Sequence, residues 1–311
     1  MKKHEHEEHN HTNPHSHDVS EIKGIRLIFV MLLNFIITAV EIVGGIYSGS
    51  LSLVSDALHN LSDGLSIIIS YLAIKISGRQ NDIKKTFGYK RASIMVALLN
   101  SSVLVGISLF LFKEAYAKFT NPQPINGSMI IWVALISLVA NALGVILLQK
   151  GSHGDMNIKS TYIHLLSDVL SSIGVVVGGI LILFFKIYWV DPLLTVLISI
   201  YILKESLSIL KDAINILMQS TPENIDINKI VEDLIKVEGI NNIHHVHVWS
   251  LDENNMNFEG HIDLENDIPV SLTSTIKESA EHILAEHYGI NHITIQFEYK
   301  CCNDIGIIKN R

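Results

Sequence analysis

The sequence predicts a membrane bundle of six transmembrane helices, followed by a C-terminal cytosolic α/β domain. Of its 311 residues, 48% are hydrophobic and only 17% are charged, a composition unlike that of a soluble domain. Apolar windows of about 20 residues, the length that spans a bilayer, occur six times before Gln219. The charged segment after Gln219 is large enough for one small soluble domain.

The six apolar windows are residues 25–46, 51–76, 93–117, 129–149, 160–185 and 189–208. No signal-peptide cleavage pattern follows the first window, so we expect it to remain as a span. Lys and Arg are concentrated in the 77–92 loop and absent from the 47–50 loop. By the positive-inside rule, this predicts a multi-pass protein of the cytoplasmic membrane with both termini in the cytoplasm. The net charge of −8 argues against a nucleic-acid partner.

The segments outside the spans divide into an arm, a domain and a tail. Residues 1–20 hold six of the 16 histidines and few apolar residues, which predicts a disordered arm that either captures metal transiently or is simply solvated. We assign residues 21–212 to the transmembrane domain, 213–300 to the cytosolic domain and 301–311 to a tail. Cys301 and Cys302 are adjacent and would make a poor disulfide, which favours a reduced, cytosolic tail.

The cytosolic segment alternates between helical and strand periodicity. Residues 226–239 repeat apolar positions at helical spacing and end at Gly239. The next segment predicts two strands, NIHHVHVWSL and MNFEGHIDLE, joined by a DENN turn. A second helix is predicted at residues 271–287, followed by a closing strand, INHITIQFEY. The order αββαβ predicts a two-layer module with helices on one sheet face.

Two spans carry the same pair of polar residues: HNLSD gives His59 and Asp63, and HLLSD gives His164 and Asp168. A charged side chain at the bilayer centre costs roughly 3 kcal/mol, so such residues are functional by default. Spacing of i, i+4 puts each pair on one helix face. Two facing helices would supply two imidazole nitrogens and two carboxylates, the donor set of a tetrahedral zinc site.

The charges of these four residues predict metal and proton exchange. Two carboxylates and two neutral imidazoles are neutralised by one divalent cation, whereas the empty site must take up protons. A bundle that opens alternately to each side would then act as a metal/proton antiporter. The alternative is that each His and Asp forms an interhelical hydrogen bond that holds the bundle together. This would explain a single pair as well as a metal site does, but it explains two identical pairs in separate spans poorly. Asp56 shares the face of His59, where it either attracts cations at the entrance or orients a ligand. Glu41, near the end of a span, either lines a polar pathway or reaches the interface.

Four motifs give the chain a resemblance to the cation diffusion facilitator family: SLSLVSDALHNLSDG, TFGYKRASIMVALLN, HLLSD and HHVHVWSL, within about residues 20–300. The resemblance implies a homodimer with a ferredoxin-like, metallochaperone-like cytosolic domain. It also implies Zn²⁺ export against protons through His59, Asp63, His164 and Asp168, with cadmium or cobalt tolerated and no organic cofactor. The histidine at the first position fits softer cations, since harder ions such as manganese prefer oxygen.

The resemblance further implies a regulatory metal site in the cytosolic domain, formed by His244, His261 and Glu298. The strand pattern puts His261 and Glu298 on polar faces. Relatives have histidine where this chain has Gln296, which weakens the expectation of a two-metal cluster. Extra ligands remain open: His245, His247, Cys301 and Cys302 are either donors or incidental. The 77–92 loop offers only Asp82, so no metal site is expected there.

Two other classes of protein are alternatives to a metal transporter. An intramembrane metallohydrolase would keep an open coordination position and a general base, as HExxH helices do, and the chain has no HExxH. A metal sensor with a mere membrane anchor would not need polar residues deep in its spans. We therefore predict a transporter and not an enzyme.

Overall fold

The computed structural model describes residues 16–77, 79, 81–149, 156–252, 255–300 and 306–308, with a smaller set of side chains. Most of the predicted histidine-rich arm and both cysteines lie outside the described residues. The chain forms two compact units, one within Met1–Leu65 and Gly106–Leu203 and the other within Ser66–Val105 and Lys204–Arg311. Each unit is described by itself.

Six helices correspond to the six apolar windows: α1 Ser16–Ser48, α2 Leu51–Ser77, α3 Ala92–Thr120, α4 Gly127–Gln149, α5 Met156–Phe185 and α6 Val190–Leu217. Four segments, in α3 to α6, are long and apolar enough to cross a membrane, and α1 contains the shorter apolar segment Leu32–Ser48. The predicted helical membrane domain is thus confirmed. Helix α1 begins at Ser16, within the range assigned to the arm, and α6 ends at Leu217, five residues beyond the range assigned to the membrane domain.

Small residues let the helices of the first unit pack closely. Helix α4 packs against both α1 and α5. A Cβ atom on Gly44 of α1 would lie 2.5 Å from Val133 of α4, and one on Gly179 of α5 would lie 2.9 Å from Ile131 of α4. Glycine at these two contacts therefore sets how near the helices can approach.

A buried carboxylate fixes the start of α2. Asp191, at the beginning of α6, accepts hydrogen bonds from the hydroxyls of Ser50 at 2.5 Å and Ser52 at 2.6 Å. It also accepts from the backbone N–H of Leu51 at 2.8 Å and of Ser52 at 3.2 Å. These are the N–H groups that a helix leaves without partners in its first turn. Asp191 thereby ties α2, which carries His59 and Asp63, to the start of α6.

The cytosolic segment folds as the predicted αββαβ module. Its elements are α7 Ile227–Leu234, β1 Ile240–Ser250, β2 Met256–Leu264, a 3₁₀ turn Val270–Leu272, α8 Thr273–Tyr288 and β3 His292–Glu298. The strands are ordered β1-β2-β3, with β1 antiparallel and β3 parallel to β2. Helix α7 ends five residues before Gly239, which was predicted as its end, because Ile235 already forms its C-terminal cap. The core includes fully buried Leu234, Phe258 and Leu284.

Candidate metal centres

The polar pairs on α2 and α5 converge inside the first unit. One ligand atom each from His59, His164 and Asp168 lie within 4.8 Å of one another. The rings of His59 and His164 meet edge to face, with centroids 5.7 Å apart. His164 Nε2 lies 3.5 Å from Asp168 Oδ2, one helical turn along α5. Two helices thus contribute two nitrogens and one oxygen to a common point.

The surroundings of this group suit a cation transferred out of water. His59 is 8% exposed and Asp168 is 3% exposed. The Tyr201 ring of α6 stands edge to face with His59 at 6.2 Å and so closes one side. Neighbouring donors of a tetrahedral zinc ion lie about 3.4 Å apart. The three ligand atoms lie within 4.8 Å of one another, so no pair would have to close by more than about 1.4 Å to bind it.

Asp63, the fourth predicted ligand, has its side chain outside the described part of the structure. Its backbone lies in the continuous helix α2, four residues after His59. Residues at i and i+4 share a helix face, so the backbone position is compatible with the predicted donor set. The structure therefore brings three of the four predicted residues together and describes only the backbone of the fourth.

Asp56 is buried beside this group and has a partner on α5. It is 3% exposed, and Ser171 Oγ donates to Asp56 Oδ1 at 2.8 Å. Ser171 was not among the predicted site residues. Ser171 lies three residues after Asp168 and Asp56 three before His59, so helical spacing was the signal that could have paired them.

Glu41 of α1 is also buried, at 1% exposure, and does not reach the interface. Its Oε2 accepts a hydrogen bond from Asn60 Nδ2 at 3.1 Å. Asn60 directly follows His59, so this bond links α1 to the part of α2 that carries the histidine. The structure therefore supports a polar position for Glu41 inside the helix bundle and not a position at the membrane interface.

A second group of donors lies in the cytosolic domain. Ligand atoms of His244, His245 and His261 lie within 4.8 Å of one another. Glu298 approaches two of these rings, with Oε2 3.3 Å from His244 Nε2 and Oε1 2.8 Å from His261 Nδ1. The three predicted residues therefore meet, and three nitrogens with one carboxylate form a donor set that zinc accepts.

A β-bulge brings His245 into this group. Successive side chains of a regular strand point to opposite faces, so His244 and His245 would normally be separated. The β1–β2 register shifts between His244 and His247, and His245 adopts a φ of 51°. As a result, the His245 and His261 ring centroids lie 4.8 Å apart. The backbone N–H of His245 donates to the carbonyl of Gly306, which brings the C-terminal segment against the bulge.

The Glu298 carboxylate is buried although it lies on the polar face of its strand. Glu298 alternates with the apolar residues of β3, as predicted, yet it is 8% exposed and lies beside His244, which is 1% exposed. Gln296, the departure from the family pattern, donates from Nε2 to Glu298 Oε1 at 2.7 Å. Gln296 therefore orients the carboxylate, as residues behind a metal ligand commonly do.

Comparisons with known proteins agree with this two-part architecture. Residues 27–218 match the cation efflux transmembrane domain family. Residues 222–300 match the family described as the cytoplasmic domain of cation efflux proteins. The two matches together cover both groups of donors.

Similar proteins are found over nearly the full length of the chain. It is 36% identical to a cadmium, cobalt and zinc/H(+)-K(+) antiporter of Bacillus subtilis, over 93% of each chain. It is 32% identical to the zinc transporter ZitB of Escherichia coli, over 95% of this chain and 94% of ZitB. It is 31% identical to the metal cation efflux system protein CzcD of Cupriavidus metallidurans, over 93% of this chain and 90% of CzcD.

Proposed function

Because the chain belongs to the cation efflux family, the cation diffusion facilitators, we propose that it exports Zn²⁺ from the cytoplasm in exchange for protons, with Cd²⁺ and Co²⁺ as further cargoes. It is a multi-pass membrane transporter and not an enzyme. The metals named for its relatives are consistent with these cargoes. The observation that carries the proposal is the convergence of His59, His164 and Asp168 from two helices.

The exchange of metal for protons follows from the charge of the site. With Asp63 as the fourth donor, two carboxylates balance a divalent cation and the two imidazoles bind it in neutral form. When the cation leaves, the carboxylates and imidazoles remain in a poorly solvated position and take up protons. Alternate opening of the bundle to each side then couples outward movement of metal to inward movement of protons.

Flux measurements in proteoliposomes test this proposal. A pH gradient should drive zinc uptake into vesicles that contain the purified protein, and Asp168→Ala should abolish it because the cation loses a charge-balancing donor. Asp267→Ala, which removes an exposed carboxylate of the cytosolic domain, is the matched control and should transport normally. Undiminished flux in Asp168→Ala would refute the assigned site.

We assign residues 1–20 to a cytoplasmic arm, 21–212 to the membrane domain, 213–300 to the cytosolic domain and 301–311 to the tail. The Lys and Arg of the 77–92 loop support a cytoplasmic location for both termini. The chain has two cysteines, both in the tail, so no substitution is needed to test this. A membrane-impermeant maleimide should label Cys301 and Cys302 only after cells are permeabilised; labelling of intact cells would reverse the topology.

The cytosolic domain is proposed to make the homodimer and to sense metal. The matched domain family carries a name that denotes a dimer, which supports the first role. His244, His261 and Glu298 meet in the fold, which supports a regulatory zinc site, with His245 as a further donor. Metal bound there would fix three strands and the C-terminal segment relative to one another.

Two measurements separate these roles from transport. Zinc binding to full-length Asp168→Ala protein should retain a component that disappears when His261→Ala is added, because the transport site is already impaired. Truncation after Gln219 should weaken dimerisation and lower transport at low zinc. Full activity of the truncated protein at low zinc would argue against a regulatory domain.

A further inference from the structure

A cavity of about 360 Å³ lies within the second unit, and its described lining includes none of the residues of either group of metal donors. One wall is the end of the 77–92 loop and the first turn of α3, and the other includes Trp249 and Leu251 of the cytosolic domain. Neither the metal sites nor the proposed transport cycle uses this cavity. Its lining residues, however, carry a net positive charge.

Three cations line the cavity: Lys85, Lys90 and Arg91. No carboxylate is among the described residues of the lining. Lys90 Nζ donates to the neutral amide oxygen of Asn255 at 2.9 Å, and Lys85 Nζ lies 3.9 Å above the Tyr89 ring. Neither contact neutralises a charge. The described lining residues therefore carry three positive charges and no negative one, which favours an anionic ligand.

Arg91 is the group best suited to hold such a ligand. Its Nε is buried and makes no hydrogen bond within the part of the chain that the structure describes. A buried donor without a partner is costly unless a ligand or water satisfies it. The planar guanidinium matches phosphate oxygens in a bidentate manner, which a lysine does not.

The loop holds these cations in a defined turn. Asp82 Oδ1 accepts hydrogen bonds from the backbone N–H of Lys84 at 2.7 Å and of Lys85 at 2.8 Å. The N–H of Gly88 donates to the carbonyl of Lys85 at 2.8 Å, and Gly88 has a φ of 70°, which favours glycine. The backbone that carries Lys85 is therefore ordered before a ligand arrives, which lowers the entropic cost of binding.

The apolar part of the lining indicates what kind of anion fits. Met95 lies in the first turn of α3, one of the helices able to cross a membrane, and is 62% exposed. Phe87 and Trp249 add aromatic surface of the kind enriched at the interface of a bilayer. A ligand with a phosphate and an adjacent hydrocarbon chain can contact both the cations and Met95.

We propose that this cavity binds the phosphate of an anionic phospholipid, held by Arg91 and Lys90, with an acyl chain running along Met95 of α3. Juxtamembrane clusters of Lys and Arg attract anionic lipids in this way. The bound lipid would join the membrane helix α3 to the strand that carries Trp249, through the 77–92 loop.

Trp249 provides a direct probe of this site. The chain has three tryptophans, so Trp132→Phe with Trp189→Phe leaves Trp249 alone. The full-length protein is placed in phosphatidylcholine nanodiscs with increasing amounts of phosphatidylglycerol brominated near its headgroup. We expect brominated phosphatidylglycerol to quench Trp249 at a much lower fraction than brominated phosphatidylcholine. Arg91→Gln should raise the fraction needed for half quenching about fivefold, the effect of one Lys or Arg near a membrane surface.

Three controls make the outcome decisive. Arg91→Lys keeps the charge but loses the bidentate contact, so its preference for phosphatidylglycerol should lie between those of the parent protein and Arg91→Gln; this partial retention separates loss of the site from misfolding. Lys277→Gln removes an exposed cation of α8 that is paired with Glu281, and should change nothing. Equal quenching by the two lipids in the parent protein would overturn the proposal. A Trp249 response to inorganic phosphate in detergent, without a lipid preference, would overturn the assignment of a lipid.

Discussion

His59 on α2 and His164 on α5 present their rings to each other edge to face, with centroids 5.7 Å apart. The two histidines belong to different helices, so the distance between their nitrogens depends on how α2 and α5 pack. A cation that binds both rings must hold the two helices together. Movement of one helix away from the other would release the cation, which is what alternating access requires.

Replacing His59 with aspartate should change which cations are carried. His59→Asp turns a nitrogen-rich donor set into an oxygen-rich one and leaves an extra negative charge around a divalent cation. Softer ions such as zinc lose more from this change than harder ions such as manganese. We expect the ratio of zinc flux to manganese flux in proteoliposomes to fall about tenfold. His282→Asp, on α8 of the cytosolic domain, is the control, and an unchanged ratio in His59→Asp would contradict direct ligation by His59.

Loss of the Ser171 hydroxyl should disturb the site through Asp56. Ser171→Ala leaves a buried carboxylate without the donor that now lies at 2.8 Å, and we expect the free energy of unfolding to fall by about 1–3 kcal/mol. Ser172→Ala is a matched control, because its buried hydroxyl shares a hydrogen bond with another hydroxyl, that of Ser137, at 3.3 Å. Reversible unfolding in detergent measures the stability. A raised zinc KM in Ser171→Ala alone would show that Asp56 acts on the metal site, and equal KM values would confine Ser171 to stability.

Asp191 should be essential to the start of α2. It accepts hydrogen bonds from the hydroxyls of Ser50 and Ser52 and from the N–H of Leu51. In Asp191→Asn, an NH₂ group would face some of these donors, so at least one bond is lost and another becomes a repulsion. We expect a loss of about 2–4 kcal/mol in the free energy of unfolding, since these bonds involve a charged acceptor. Asp267→Asn, at an exposed carboxylate, should cost almost nothing; equal losses would contradict the capping role.

Helical periodicity explains why the membrane site could be predicted from sequence. His164 and Asp168 are four residues apart, and this spacing alone puts them on one face of a helix, where the structure has them 3.5 Å apart. The αββαβ order of the cytosolic domain could be read in the same way, from runs of period 3.6 and period 2. Such patterns can be read from the sequence because each depends only on residues within a single helix or strand.

Contacts between distant segments were not predictable in this way. The hydrogen bond between Asp191 and Ser50 joins residues 141 positions apart in the sequence, and no local sequence pattern predicts it. His245 joins the cytosolic donors only because a bulge with positive φ breaks the alternation of β1. The burial of Glu298 could not be predicted, because strand alternation places it on the polar face of β3 and says nothing of the histidines that lie against it. In each case the missing information was the identity of a neighbour from another element.

His245 offers a test of whether the bulge serves metal binding. Asparagine tolerates the left-handed conformation, so His245→Asn should remove the ring and keep the φ of 51°. We expect the zinc affinity of the cytosolic component to fall by about tenfold or more, since loss of even a residue that orients a metal ligand typically costs ~10–100-fold in affinity. Zinc titration of full-length Asp168→Ala protein measures it. His247→Asn changes an exposed histidine of the same strand and should have no effect; equal affinity in both variants would exclude His245 as a ligand.

The contact between Tyr288 and Asp233 should give the cytosolic domain a specific alkaline sensitivity. Burial, together with the hydrogen bond that Tyr288 donates to Asp233 at 2.7 Å, raises the pKa of Tyr288 to about 12, above its ordinary value near 10. In this interval the unfolded chain loses the tyrosine proton before the folded one does, so stability falls as pH rises from about 10 to 12. Tyr288→Phe should flatten this fall, whereas Tyr299→Phe should not. Urea unfolding followed by Trp249 fluorescence in the Trp132→Phe, Trp189→Phe protein measures both, and parallel pH curves for Tyr288→Phe and its parent would refute the linkage.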